Sequence, residues 1–246
     1  MLKLLVMRPQ PFARYPNVVA GFSRRGGGVS APPFESLNLS VSVGDLASNV
    51  KENRDRLFSA YGIDPSSLAI GGLVHGNNVC RADKPGLFKE TDGLVTDRAG
   101  LALVVTAADC AVLLSVDQQT GIIGVCHAGW RGAVSMIVTE TINKMVSMGA
   151  SAGDISSYIS PCISVDKFEV GIDVASEFDQ SHVQLRDGRY YVDLKSHLRS
   201  ELETCGVAEV DVDPACTMTE QDTYFSFRRE GKTGRMMGFI MRRCDP

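Results

Sequence analysis

Between residues 101 and 127 the chain is apolar at almost every position, reading "LALVVTAADCAVLLSVD" and then "GIIGVCH". Runs rich in Val, Ile and Leu, without the polar alternation of a half-exposed strand, fit strands buried on both faces. The first two runs are broken at one place, Ala108-Asp109-Cys110, and the third ends on His127. Any fold for this chain must cover these three strands on both sides and must bring an acid, a thiol and an imidazole out at their ends.

The flanking sequence supplies the cover. Residues 17–23, "NVVAGFS", read as a first strand, and "RRGGGVSAPPFESLNLS" as a long ordered loop anchored by Val29, Phe34, Leu37 and Leu39. The pattern at 49–61 predicts a helix with Asn49 as its cap and Gly62 as its stop. "LAIGGLVHG" reads as a strand ending at His75, and "TDGLVTD" as a short strand flanked by acids. Residues 132–148 predict one amphipathic helix, with Val134, Ile137, Val138, Ile142, Met145 and Val146 on a single face.

The second half continues the alternation. "ISSYIS", "RYYVDL" and "VAEVDV" read as strands, "CISVDKFEVGIDVASEF" as a turn into a helix, and "DLKSHLRSELETCG" as a helix capped by Asp193. The end, "TYFSFRREGKTGRMMGFIMRR", reads as a hairpin of two short strands, with Arg228, Arg229 and Arg235 as its surface charge. Strands alternating with helices indicate a layered α/β fold, and the terminal hairpin makes its sheet mixed.

Bulk properties exclude several classes. A net charge of −4 argues against a nucleic-acid-binding surface. No stretch reaches the ~18 apolar residues of a membrane span. "MLKLLVMRPQPF" is too short in its apolar part for a secretion signal, so the chain reads as cytoplasmic. Seven cysteines at wide spacings, with no CxxC, do not form a disulfide framework.

Three residues share one positional habit. His75, Cys110 and His127 each stand where an apolar run breaks or ends, and strand ends are where sites form in α/β sheets. Two imidazoles and a thiolate suit a divalent metal, zinc in particular. Intervals of 35 and 17 residues match no local ligand pattern, so satisfied core histidines and a packed cysteine fit the same sequence. Cys110 activated by either histidine would instead make a cysteine hydrolase. Asp109 is a candidate orienting group or general base, and also a candidate turn cap. Arg24, Arg25, Gly27, Gly28 and Ser30 offer guanidinium heads and backbone N–H groups for a phosphate, and Arg131 stands at a helix start. Cys80 and Cys126 are the candidates for a fourth, closing ligand. Strand alternation sends Cys126 to the face opposite His127.

Ten motifs, in order, resemble one family. They are "GFSRRGGGVSAPPFESLNLS", "VHGNNV", "TDGLVT", "AADCAVLL", "CHAGWRGAV", "ISPCI", "FEVG", "DL", "CT" and "FSFRREGKTGR". The chain resembles the YfiH-type proteins, long labelled polyphenol oxidase or laccase-domain proteins and now regarded as purine nucleoside phosphorylases. The resemblance implies one domain over residues 1–246, an α/β/α sandwich around a mixed sheet. It implies a zinc site that carries over onto His75, Cys110 and His127. It implies phosphorolysis of adenosine, inosine, guanosine and methylthioadenosine, with adenosine deamination at the same site. The partners it implies are nucleoside and phosphate, in a monomer or small homo-oligomer. Members have also been linked to amidase editing of peptidoglycan precursors. The sequence departs from the family at Ala111, Ser160 and Cys126, and none of these departures removes an expected ligand. A four-copper oxidase needs about ten histidines under ordinary copper ligand preferences. The chain has four, which leaves room for one adventitious copper at most.

Overall fold

The computed structural model describes residues 6, 7 and 9–244; residues 1–5, and with them most of the apolar N-terminal stretch, lie outside. The strands of the first half are β1 (Val6–Met7), β2 (Val18–Ser23), β3 (Leu68–Gly72), β4 (Val79–Arg81), β5 (Gly86–Lys89), β6 (Gly93–Thr96), β7 (Ala102–Ala107), β8 (Ala111–Asp117) and β9 (Ile123–Ala128). The second half adds β10 (Ile155–Ile159), β11 (Glu169–Val170), β12 (Val183–Arg186), β13 (Arg189–Val192), β14 (Glu209–Val212) and β15 (Met236–Arg242). The helices are α1 (Ala47–Ser59), α2 (Trp130–Val134), α3 (Ile137–Ser147), α4 (Ile172–Ala175), α5 (Leu194–Thr204) and α6 (Phe227–Glu230).

The three apolar runs become β7, β8 and β9, and they divide between two sheets. One sheet has the order β1-β2-β15-β7-β3-β5, the other β14-β10-β8-β9-β6-β4, and β11-β13-β12 form a small third. Both large sheets are mixed. In the first, β3 runs parallel to β7 and β5, while β15 is antiparallel to β2 and β7. The break at Ala108-Asp109-Cys110 is therefore the place where the chain crosses from the first sheet to the second.

The layered mixed α/β architecture holds, with one difference from the expected single sheet. Phe22, Leu103, Val105 and Met236 of one sheet pack face to face on Val112, Leu114, Val125 and Tyr158 of the other. Leu57 and Phe58 of α1 cover the outside of the first sheet, against Val104 and Phe239. Ile142 and Met145 of α3, with Leu198 and Leu202 of α5, cover the outside of the second, against Leu113 and Cys126. The layers run α/β/β/α. A strand between a sheet and a helix carries the same unbroken apolar pattern as one between two helix layers, so the runs alone do not count the sheets.

Local departures have local causes. Helix α1 begins at Ala47, two residues before the expected cap, because the Leu46 carbonyl accepts from the Asn49 and Val50 N–H groups. The single helix expected over 132–148 is two, broken at Met136 with φ 65°. There the Ser135 carbonyl accepts from Asn77 Nδ2 at 2.7 Å. Helix α4 keeps only four residues of its expected length. The C-terminal hairpin is instead a short helix, α6, capped by Ser226 Oγ on the Arg229 N–H, followed by the long inner strand β15. Asp193 caps α5 as expected, accepting from the Ser196 N–H.

Candidate metal centre

His127 is the penultimate position of β9. Strand alternation puts Val125 on the face between the sheets, while Cys126 packs under α3 on the other face. Cys126 is fully buried, and burial pushes its thiol up to about 12, so it is core. Cys110 sits on the crossing between β7 and β8. His75 lies three residues beyond the end of β3 rather than on it, at φ 62°, a left-handed conformation unusual for a side-chain-bearing residue. The first sheet thus delivers His75, the second delivers His127, and the crossing delivers Cys110.

The three meet. One ligand atom from each of His75, Cys110 and His127 lies within 4.8 Å of the others. The imidazole centroids are 4.8 Å apart, with planes at 86°. His127 is buried, Cys110 half-buried and His75 exposed, so the cluster opens to solvent on one side. Among the described residues no fourth His, Cys, Asp or Glu joins it. Cys80, the other candidate, lies against Thr91 Oγ1. Gly129 forms the floor: a Cβ there would lie 2.9 Å from Cys110 Sγ and 3.3 Å from His75 Cδ2.

The residue that organises the cluster, Asp92, was not singled out by sequence. It is fully buried at the start of β6. Its Oδ1 accepts from the His75 N–H (3.0 Å) and faces His127 Nδ1 (3.0 Å). Its Oδ2 accepts from the Val74 and Gly76 N–H groups (3.1 and 2.9 Å). One carboxylate therefore folds the loop that carries His75 and fixes the tautomer of His127, with Nδ1 as donor and Nε2 turned to the cluster. Burial works against its charge, but bonds from His127, Gly76 and Val74 outweigh it and hold the carboxyl below its ordinary range. The available signal was an acid leading directly into a strand with every residue buried, a placement that demands partners.

Burial also opposes ionisation of Cys110, yet His127 and His75 outweigh it and bring the thiol down to about 6. His127 is the complement. Burial disfavours its charge, but the Cys110 thiolate and Asp92 pull it up to about 9. The ligand set is poised as thiolate and imidazolium, the ionic form a metal ion would replace.

Asp109 stands at φ 86°, and its carboxylate accepts from Thr217 Oγ1 (2.7 Å), Ser226 Oγ (3.0 Å) and the Arg228 N–H (2.7 Å). This ties the crossing to the segment before β15. Ser160 supports the next turn, its Oγ accepting from the Val112 N–H at 2.9 Å.

The loop after β2 is held by most of its polar side chains, and one buried nitrogen in it has no partner. Arg25 donates to Glu230 Oε1 (2.8 Å) and to the carbonyls of Gln221 and Glu35 (2.9 and 3.2 Å), and stacks on Phe225. Gly27 adopts φ 95°, and a Cβ at Gly28 would lie 2.1 Å from the Ser36 carbonyl oxygen. Ser30 is buried on Asp45 (2.6 Å) and Asn53. Arg24 differs, for its Nε is buried with no hydrogen-bond partner. Arg131 is exposed and lies over the Trp130 ring, 4.1 Å from its centroid. Of the three C-terminal arginines expected as surface charge, Arg228 is exposed, while Arg229 and Arg235 are half-buried. Arg229 donates to the carbonyls of Thr217, Met218 and Tyr224, and Arg228 to that of Glu169.

Fold and site together define a class: a two-sheet layered α/β protein with a His–Cys–His centre, open on one side, at the seam between the sheets. The family profile described as multi-copper polyphenol oxidoreductase laccase matches residues 19–243. The purine nucleoside phosphorylase of Deinococcus radiodurans is 40% identical over 237 residues, covering 94% of this chain and 92% of its own. The purine nucleoside phosphorylase YfiH of Escherichia coli is 34% identical over 249 residues, covering 98% and 99%. The crystal structure of YlmD from Geobacillus stearothermophilus superposes with a TM-score of 0.92 at 31% identity, covering 98% of this chain and 97% of that one. A hypothetical protein YfiH from Bacillus licheniformis gives 0.92 at 29%, with the same coverage. This chain belongs to the YfiH-type family.

Proposed function

We propose that this protein is a zinc-dependent purine nucleoside phosphorylase. It would convert adenosine, inosine, guanosine or methylthioadenosine, with phosphate, to the base and ribose 1-phosphate, and would deaminate adenosine at the same centre. The observation that carries the reading is the convergence of His75, Cys110 and His127 under the control of Asp92, in a chain whose relatives bear the phosphorylase name. A thiolate with two imidazoles suits zinc, and copper would compete for the same donors. Four histidines cannot furnish the centres of a multicopper oxidase.

Zinc held there would supply a Lewis acid and bring the ionisation of a water near neutrality. The protein's own groups do the rest. Asp92 keeps the His127 Nδ1 proton in place, so Nε2 faces the cluster. Asp109 holds the crossing that carries Cys110. Arg24 and Arg131 offer cations to phosphate, while Arg25, Gly27, Gly28 and Ser30 fold the loop that presents Arg24. His75, the exposed ligand, borders the space where a nucleoside would enter. On this reading the partners are small molecules and the compartment is the cytoplasm.

The test is the metal-loaded protein with adenosine, with and without phosphate, and the products separated. Adenine formed only with phosphate identifies a phosphorylase. Inosine identifies the deaminase. Neither product sinks the reading.

One observation favours a second reading. Cys110, His127 and Asp92 line up as nucleophile, base and orienting carboxylate, with the thiol brought down to about 6. That arrangement suits an amidase, such as one editing peptidoglycan precursors. Amide cleavage that survives chelation and is lost on alkylation of Cys110 would support it.

A further inference from the structure

We infer that Arg235 binds the phosphate co-substrate; the inference rests on the phosphorylase reading and assigns the anion site within it. The position follows from strand register. Met236 of β15 pairs with Ala107 of β7. One residue further, Arg235 stands opposite Ala108, beside Asp109 and Cys110. On the other flank, the pairing of Gly238 with Phe22, carried two residues on, sets Arg24 opposite Met236. Both residues thus stand at the end of the first sheet where the His–Cys–His cluster lies.

Arg235 differs from Arg25 and Arg229 in having no ion pair, and from Arg54 and Arg228 in standing beside Asp109 and Cys110. Arg25 and Arg229 share the Glu230 carboxylate, and Arg54 gives two N–H groups to the Leu39 carbonyl. Arg228 is bonded to the Glu169 carbonyl. Arg235 uses only Nη1, on the carbonyls of Thr233 and Gly234 in its own turn (2.9 and 3.1 Å). Among the described residues no carboxylate lies within ion-pair reach of it. The group is nevertheless half-buried, and burial pulls its basicity down while Cys110 and Asp109 pull it up. A half-buried cation with no direct ion pair is costly, and such costs persist at functional sites. One strand away, Arg24 bonds Tyr224 but keeps its Nε buried without a hydrogen-bond partner.

The mounting is rigid. The Arg235 N–H is held by Asn38 Oδ1 at 3.0 Å, and Gly234 admits the Phe225 ring where a Cβ would lie 2.6 Å from it. The guanidinium face rests over Phe227, 5.6 Å from the centroid, leaving the N–H edge for a tetrahedral anion. Hydrogen phosphate bound there stands beside the cluster. In the reaction a phosphate oxygen forms the bond to C1′ as the C1′–N9 bond breaks. The bonding pair leaves on the purine, and the phosphate's proton ends on the base, so that charge and atoms balance.

The experiment compares zinc-loaded wild type, Arg235→Gln and Arg235→Lys by steady-state kinetics, with inorganic phosphate and inosine varied separately. Inorganic phosphate binding is also measured directly by calorimetry. Loss of a charged hydrogen-bond donor should raise the KM for phosphate about tenfold or more in Arg235→Gln. The KM for inosine should change less than threefold, zinc content should stay equal, and Arg235→Lys should recover part of the loss. An unchanged phosphate KM in an active, zinc-replete Arg235→Gln overturns the inference while the phosphorylase reading stands. Equal rises in both KM values also overturn it, because they indicate a structural role. If wild type makes no ribose 1-phosphate, the phosphorylase reading fails. Calorimetry then decides the anion site by itself: phosphate binding lost in Arg235→Gln supports it, and equal or absent binding in both proteins overturns it.

Discussion

Asp92 Oδ1 and His127 Nδ1 lie 3.0 Å apart inside the seam between the sheets, with the carboxylate fully buried and the ring 3% exposed. A carboxylate only accepts, so Nδ1 keeps a proton and Nε2 is the nitrogen left for a metal. Asp92→Asn keeps the shape but can turn an N–H toward the ring, which reverses the tautomer. Zinc affinity should fall by about 10- to 100-fold, the usual cost of losing such an orienting group. Competition against a chromophoric chelator measures this. Affinity within twofold of wild type would show that the tautomer does not govern the site.

The two histidines of the cluster should part company in stability. His75 is exposed, and its ring's partner, Cys110, keeps His127 after truncation, so His75→Ala should lose zinc while unfolding within about 0.5 kcal/mol of the metal-free wild type. His127→Ala also leaves the buried Asp92 oxygen without its ring partner and opens a hole at the sheet seam, costing roughly 1–3 kcal/mol more. Denaturant unfolding of the metal-free proteins makes the comparison. Equal losses would mean that Asp92 is satisfied by its three backbone donors alone.

Gly129→Ala tests the floor of the site. The backbone there, φ −76° and ψ 170°, suits alanine, so there is no conformational penalty. The added methyl would meet Cys110 Sγ at 2.9 Å and His75 Cδ2 at 3.3 Å. Both must shift. Overpacking of this kind costs roughly 1–3 kcal/mol, and here the displaced atoms are the ligands. The variant should fold and bind zinc weakly; native zinc affinity would show that the floor is soft.

How much of this was legible depended on whether a residue's partners were near in sequence. The strands β7, β8 and β9 were legible because full burial leaves an unbroken apolar run, and Cys110 and His127 stood out because they lie where those runs stop. Asp92 was not, since its ring partner is 35 residues away and its loop partners 16 to 18. The C-terminal segment misled in the other direction. "FSFRRE" alternates like a strand, but Ser226 and Arg228 both bond Asp109, more than a hundred residues earlier, and that tie bends the segment into α6. Arg235 read as surface charge because nothing local shows that β15 is an inner strand.

Cys110 should behave as a thiolate in the metal-free protein at neutral pH. Burial alone would raise its thiol, but His127 and His75 bring it from 9.0 to about 6. In chelated protein the rate of alkylation by iodoacetamide should rise through about pH 6 and level off, where an ordinary cysteine rises near 8.5. His127→Ala should move that midpoint upward, because the strongest attraction is gone and burial remains. Stability has its own signature. The lowered thiol favours the folded state above pH 9, an advantage lost as pH falls through about 6. His127, raised from 6.5 to about 9, favours it below 6.5, an advantage lost as pH rises through about 9. Between these limits the folded pair holds one proton on the ring, and the unfolded pair holds one on the sulfur. Net proton uptake on unfolding is zero for the pair. The metal-free wild type should therefore show no dependence from this pair between pH 6.5 and 9. In Cys110→Ser the remaining His127 should instead lose stability as pH rises across that window, to the extent that Asp92 alone still holds the ring's proton. Thermal unfolding of the two proteins side by side, in steps of pH, makes the test. A wild-type alkylation midpoint near 8.5, or parallel pH profiles for the two proteins, would show that sulfur and ring do not share a proton.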